Sequence, residues 1–141
     1  MKRIMVTVFA VAAMALSASA QGLSPALMGE VRASVRKGLE WLKTQQKPDG
    51  AWSDASMPAL TALPLWSFAA SDEKDFGAEV DKAVAFLLAA QQPDGGIYVP
   101  SPGRQGGRLG NYNTAICIAV LHATGRGAVL PAVLKGRPYD A

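Results

Sequence analysis

The sequence predicts an all-α fold of stacked helical hairpins, and three observations support this prediction. Apolar residues recur at steps of three and four, the spacing of one helix face. The polar–apolar alternation typical of strands is weak throughout. One stretch also repeats at an offset of 45 residues, and such a period in a helical pattern indicates stacked helix pairs. Of the sixteen aligned positions, seven are identical where chance predicts roughly one: Val35/Val80, Lys37/Lys82, Leu42/Leu87, Gln46/Gln91, Pro48/Pro93, Asp49/Asp94 and Gly50/Gly95.

The N-terminus reads as a signal peptide, residues 1–20. Lys2 and Arg3 give a short positive start, residues 4–16 are apolar except for Thr7, and small residues lead to a cleavage site after Ala20. The apolar run is shorter than the roughly 20 residues that cross a bilayer as a helix. An uncleaved anchor is the alternative. The sequence therefore predicts export to the periplasm or medium, with no stable membrane span after cleavage.

The net charge and the cysteine content limit which classes of partner the chain can bind and how its fold can be stabilised. The whole chain carries 14 basic and 11 acidic side chains, a net charge of +3. Removal of Lys2 and Arg3 leaves 12 and 11, a net charge of +1, so the excess of basic residues typical of nucleic-acid binding is missing. Cys117 is the only cysteine and cannot form an intramolecular disulfide, so an apolar core must stabilise the fold.

The first repeat, about residues 24–70, predicts two helices. Ser24 is a good N-cap and Pro25 suits the first helical position. The first helix must end near Gln46, because a proline and an Asp-Gly turn follow. A nearly uniformly apolar helix is expected over residues 59–70, with a kink or late start at Pro64. One face of the first helix is formed by residues that recur at steps of four or three: Leu27, Val31, Val35, Leu39 and Leu42.

The second repeat, about residues 77–125, follows a polar linker. A helix is expected over residues 77–91, and a Gly/Pro-rich loop over residues 99–110. Asn111 or Asn113 is expected to cap an apolar helix that runs to residue 123, and residues 127–134 to begin a fifth helix. Residues 61–63 match residues 114–116 at an offset of 53, so the second repeat has eight extra residues in its loop. The inner face of its first helix is expected to be Val80, Val84, Leu87 and Leu88.

Residues 37–52 resemble the QW repeat of squalene/hopene cyclases, and the second copy is a degenerate match with Ile97 and Tyr98 where the Trp should stand. The resemblance implies the α/α toroid of terpenoid cyclases and protein prenyltransferase β subunits, in which such motifs tie outer helices together. With about two hairpins, this sequence predicts an incomplete toroid whose open edge needs further repeats or self-association. The implied structural motif comprises Lys37, Gln46, Asp49, Gly50, Trp52, Lys82, Gln91, Asp94 and Gly95.

Residues that would perform the chemistry of these families are missing from the sequence. It has neither the Asp-x-Asp-Asp acid motif nor a thioester motif, and residues 72–75 read as a solvated linker. Cys117 and His122 are five apart on one helix, about 140° around its axis, which disfavours a shared zinc site. We expect a buried thiol and a helix-end histidine, with no catalytic residue, metal or cofactor.

The loop over residues 99–110 is the one candidate ligand site. Its two arginines, Arg104 and Arg108, and the nearby Tyr98 and Tyr112 could clamp an anion, while a plain surface insertion is the alternative. The leading hypothesis is an exported, non-catalytic cyclase/prenyltransferase-like repeat protein that binds an unknown ligand or protein, or acts as a scaffold. The alternative is the N-terminal fragment of a squalene/hopene-cyclase-type isomerase whose acid lies beyond residue 141.

Overall fold

The chain folds into four α-helices in the computed structural model, which describes residues 24–71, 73–103 and 107–125. These are α1 (Pro25–Gln45), α2 (Ala59–Ala70), α3 (Gly77–Ala89) and α4 (Gly110–Ala123). Within those ranges an isolated antiparallel bridge joins Gln91 and Ile97, and Ser101 also takes part in a bridge. The predicted all-α class is therefore confirmed. The signal peptide, the fifth helix and Arg104 lie outside the described residues.

The chain divides into two compact units, Met1–Val35 and Arg36–Ala141. In the first, the Leu27 N–H donates to Ser24 Oγ at 3.2 Å, which confirms Ser24 as the cap of α1. The predicted face of α1 includes Leu27, Val31 and Val35, which are between 42% and 47% exposed. Helical periodicity identifies a face, but it does not say over what length that face is covered.

The second unit holds the core, with α2 at its centre. Helix α2 packs most extensively against α4 and also against α3. It was predicted at these bounds because it is apolar on nearly all sides, as a helix with several neighbours must be. The core residues are Leu39, Trp52, Ala62, Leu65, Phe68, Phe76, Ala83, Val84, Leu87, Ile97, Cys117, Val120 and Leu121.

Helix α2 keeps its predicted bounds, whereas the predicted end of α3 changes. Pro64 lies inside α2, which neither starts late nor stops there. Helix α3 ends at Ala89, two residues earlier than expected, because the Gln91 backbone pairs with Ile97 instead of continuing the helix. Of the expected inner face of α3, Val84 and Leu87 are buried, while Val80 and Leu88 are partly buried. No helix in the described ranges combines the length and apolar character needed to span a membrane.

The predicted cap of α4 is wrong. Its N-cap residue is Leu109, in a left-handed conformation (φ 54°) and without a side-chain capping bond. Asn113 is instead fully buried, and its Oδ1 accepts the N–H of Ala59, in the first turn of α2, at 3.1 Å. Asn113 therefore caps a neighbouring helix. Residue type indicated a capping side chain, but packing of α4 on α2 selected which helix it caps.

Candidate functional site

The first repeat turn, residues 46–52, reverses the chain after α1. The Gly50 N–H donates to the Lys47 carbonyl at 2.9 Å, and Asp49 Oδ1 accepts the Ala51 N–H at 3.0 Å. Gly50 has φ +90°, a conformation that side-chain-bearing residues rarely adopt. The Pro-Asp-Gly sequence therefore supplies a stop for the helix, a side-chain acceptor for the turn and the residue that tolerates its geometry.

Gln46 joins this turn to the second repeat. Its Nε2 donates to the Gly50 carbonyl at 3.1 Å and to the Glu79 carbonyl, in the first turn of α3, at 2.9 Å. The resemblance implies that such motifs tie outer helices together, and the two bonds of Gln46 join the end of α1 to the start of α3. Each such bond contributes a net stability of about 0.5–1.5 kcal/mol.

Gly50 also lies against the second repeat. A Cβ at this position would collide with the backbone carbonyl of Lys82 on α3. Glycine is thus needed both for its positive φ and for this close approach. The contribution of Lys82 at this contact is its backbone, since its side chain, like that of Lys37, is exposed.

Trp52 is the last residue of the first repeat turn. Its indole is 3% exposed, donates from Nε1 to the Leu42 carbonyl at 2.8 Å and stacks on Phe68 with ring centroids 5.7 Å apart. Its backbone N–H donates to Thr61 Oγ1 on α2 at 3.1 Å. One residue therefore satisfies a carbonyl in the last turn of α1 and fills the space between α1 and α2.

The second repeat turn, residues 91–97, has the same hydrogen bonds. Gly95 has φ +85°, and its carbonyl accepts from Gln91 Nε2 at 3.2 Å. The Gly96 N–H donates to Asp94 Oδ1 at 2.9 Å, and the Ile97 N–H donates to Thr114 Oγ1 at 2.9 Å. These bonds match those of the first turn at offsets of 45 and 53 residues, so the repeat is present in the tertiary structure as well as in the sequence.

Tyr98 belongs to this second turn. Its hydroxyl donates to Asp94 Oδ2 at 2.6 Å. This bond, together with the Gly96 N–H, holds the pKa of Asp94 below its usual range, and the Asp94 carboxylate raises the pKa of Tyr98. The ring lies so close to Gly96 that a Cβ there would be 2.7 Å from its Cε1. Ile97 takes the position of Trp52 in this turn, and Tyr98 adds a side-chain hydrogen bond to Asp94.

The other predicted ligand residues are not assembled into a site in the part of the chain that the structure describes. Arg108 is exposed, and its contact with Asn113 is made by its backbone carbonyl, which accepts from Nδ2 at 2.9 Å. Tyr112 is 47% exposed. No hydrogen bond or ion pair among the described residues joins Arg108, Tyr98 and Tyr112.

The acidic linker forms ion pairs with α1 that were not predicted from the sequence. Arg36 on α1 contacts Glu73 Oε2 at 2.5 Å and Asp75 Oδ2 at 2.8 Å. The hydrogen bond to Asp75, with the charge of Glu73, raises the pKa of Arg36. At a second pair, Lys43 lies 3.5 Å from Glu79, whose side chain is 10% exposed. The charged residues of α1 could have indicated that ion pairs form, but not which acidic residues outside the helix take part.

Cys117 and His122 lie in different environments. Cys117 is fully buried, and burial raises its pKa to about 12, so the thiol stays protonated at neutral pH. His122 is exposed near the end of α4. The described ranges contain no group of three His, Cys, Asp or Glu residues placed to hold a metal ion.

Two of the open depressions in the surface are lined by residues in the described ranges. One, of about 460 Å³, is lined by Leu88, Gln91, Gln92, Pro93 and Asp94. The other, of about 200 Å³, lies where α2 ends and α3 begins, with Phe68, Phe76 and Val80 among its lining residues. Neither contains a pair of carboxyl groups placed for acid–base chemistry. Comparisons with protein-family models, curated proteins and solved structures find no significant match to this chain.

Proposed function

We propose that this chain is an exported, cyclase/prenyltransferase-like helical-repeat protein that acts as a binding or scaffold module. The observation that supports this proposal is that its polar side chains form hydrogen bonds within turns and at helix ends. Gln46, Asp49, Gln91, Asp94 and Asn113 all hold turns or helix ends. Among the described residues, every buried side-chain nitrogen or oxygen has a hydrogen-bond partner. In this proposal, the polar residues of the two repeats therefore have a structural role.

The surface offered to a partner is the outer face of α2. Leu63 and Trp66 are 42% and 43% exposed, and Ser67 and Ala70 on the same helix are exposed too. Their spacing of three, one and three residues places them on a single face. Exposed large apolar side chains grouped in this way mark interaction sites in soluble domains. We infer that this face binds an apolar ligand or an apolar protein surface.

Site-specific photo-crosslinking tests this function. The full chain is produced with its signal peptide and with a benzophenone amino acid in place of Trp66, and in a matched variant in place of Ala85, which is exposed on α3. After irradiation of the cells, mass spectrometry should show a discrete adduct at position 66 and none at position 85. Equal labelling at both positions, or labelling at neither, would contradict the proposal.

Two further measurements accompany the crosslinking. Cell fractionation and N-terminal sequencing should find the protein outside the cytoplasm, beginning at Gln21. A cytoplasmic protein that retains Met1 would contradict export. Incubation of the purified chain with polyprene and epoxide substrates should return them unchanged, whereas a cyclised product would overturn the non-catalytic assignment.

A further inference from the structure

Most of helix α1 is uncovered. Every residue from Ser24 to Gly38 is exposed, and Leu39 is the one buried residue of the helix. Trp41 is 62% exposed, more than any other large apolar side chain in the described ranges. A Cβ added at Gly38 would meet open space. Because the apolar side of a helix stabilises it only when another surface covers that side, the exposed side of α1 indicates an interface.

This exposed side has the spacing of a seam along which two helices pack. Six of its residues follow one another at alternating steps of four and three residues, which places them in one line along α1. Two small residues, Ser34 and Gly38, are in the middle of this line and leave room for a second backbone to approach. The α1 seam consists of Leu27, Val31, Ser34, Gly38, Trp41 and Gln45.

We propose that two copies of this chain associate through their α1 seams, with the two helices antiparallel and related by a two-fold axis. In the register that fits the seam, Trp41 packs on the partner's Val31, and Gly38 lies opposite the partner's Ser34. Each contact forms twice, because a two-fold interface uses the same surface of both copies. Small residues therefore meet at the centre of the seam, where the backbones approach, and an apolar contact lies on each side of them.

The charges beside the seam favour a second copy in this orientation. Glu30 and Lys37 lie along the same edge of the seam, and neither has an ion pair or a side-chain hydrogen bond within the described residues. In an antiparallel pair the same edges of the two helices lie side by side, so Glu30 lies beside the partner's Lys37. In a parallel pair opposite edges meet, and Glu30 would lie beside the uncharged Val35. The antiparallel dimer therefore pairs both charges, and the parallel one pairs neither.

The length of α1 sets the strength of this contact. The helix has 21 residues and is about 30 Å long. A pair of such helices is at the small end of specific interfaces, so we expect a dissociation constant in the micromolar range. The seam shares no residue with the exposed face of α2. Association of two copies and ligand binding at α2 can therefore fail independently.

Sedimentation equilibrium of the exported protein, over a range of micromolar concentrations, tests the proposal. The parent chain should form a dimer. E30K and K37E each place like charges side by side at both symmetric contacts, and each should weaken the dimer by about five- to thirtyfold. The double variant E30K/K37E restores opposite charges across the interface and should recover most of the affinity. A monomer at every concentration, or a double variant no stronger than the single ones, would overturn the proposal.

A matched pair of substitutions separates the seam from a general effect of added charge. Val31 and Ala33 are both exposed, on opposite sides of α1. V31E buries a carboxylate in the seam and should abolish the dimer, whereas A33E should change the dissociation constant by less than about twofold. Equal effects of the two substitutions would contradict the assigned face. A parent chain that stays monomeric and co-sediments with phosphatidylglycerol vesicles would also overturn the proposal and would assign the seam to a lipid surface.

Discussion

Replacement of Asn113 by alanine is the sharpest test of how the two hairpins are joined. Asn113 is fully buried; its Oδ1 accepts the Ala59 N–H at 3.1 Å and its Nδ2 donates to the Arg108 carbonyl at 2.9 Å. Loss of a helix cap costs about 0.5–2 kcal/mol. Loss of the second bond adds about 0.5–1.5 kcal/mol. We therefore expect N113A to lower the free energy of unfolding by about 1–3.5 kcal/mol.

The assay is urea unfolding of the mature chain, followed by tryptophan fluorescence and far-ultraviolet circular dichroism. The midpoint should fall while the slope stays constant, as expected for a change in stability alone. N111A is the matched control, because Asn111 is on the same helix but exposed. It should change stability by less than about 0.5 kcal/mol. A loss in N111A as large as that in N113A, or no loss in N113A, would refute the assignment of Asn113 as the cap of α2.

Three further predictions follow from the turns and the core. G50A should destabilise the fold by more than about 1 kcal/mol, because an alanine there has an unfavourable positive φ and clashes with α3. G38A, where the added Cβ meets open space, should stabilise α1 by about 0.4–1 kcal/mol. Thermal unfolding compares the two variants, and equal shifts in melting temperature would argue against the contact of Gly50 with α3. Cys117, with its pKa raised to about 12, should resist a thiol reagent at pH 8 until the chain unfolds, and rapid labelling of the native protein would contradict its burial. Y98F should raise the pKa of Asp94 in an NMR titration, because the hydroxyl that stabilises the carboxylate is gone; an unchanged pKa would contradict the bond.

The Asp94–Tyr98 pair also sets a direction for pH dependence. The folded-state pKa of Asp94 is lowered, so the contribution of the pair is present above the unfolded pKa and is lost as the pH falls through the folded value. The pKa of Tyr98 is raised, so its contribution is present below its unfolded pKa and is lost as the pH rises through the folded value. The Y98F variant should therefore lose less stability than the parent chain when acidified, as measured by urea unfolding at several pH values.

The helical parts and the turns could be predicted because their causes are local. Pro48 and Gly50 end α1 where expected, and α2 has the predicted bounds. Such signals depend on residues within a few positions of one another, so they can be read along the chain. The repeated turn could be predicted for the same reason, since the bonds that close it on itself join residues at most four positions apart.

The candidate site was less predictable because its contacts are distant in sequence. Gln46 was expected to reach a neighbouring helix, but its acceptor, the Glu79 carbonyl, could not be named. The ion pair of Arg36 with Glu73 spans 37 residues. Arg108 and Tyr112, expected near a ligand, are not brought together with Tyr98 by any bond in the described ranges. Side-chain type indicates what a residue can bind, but not what the fold places beside it.

By itself, the sequence determined the helical class, the repeat and the residues of each turn, because these follow from local propensity and periodicity. Only the tertiary structure decided that Asn113 caps α2 instead of α4, that Gly50 lies against α3, and that the stripe of α1 is buried at Leu39 but exposed at Val35. The physical reason is the same in each case. These outcomes depend on which backbone groups and apolar surfaces a neighbouring helix presents, and that is settled only when the helices pack.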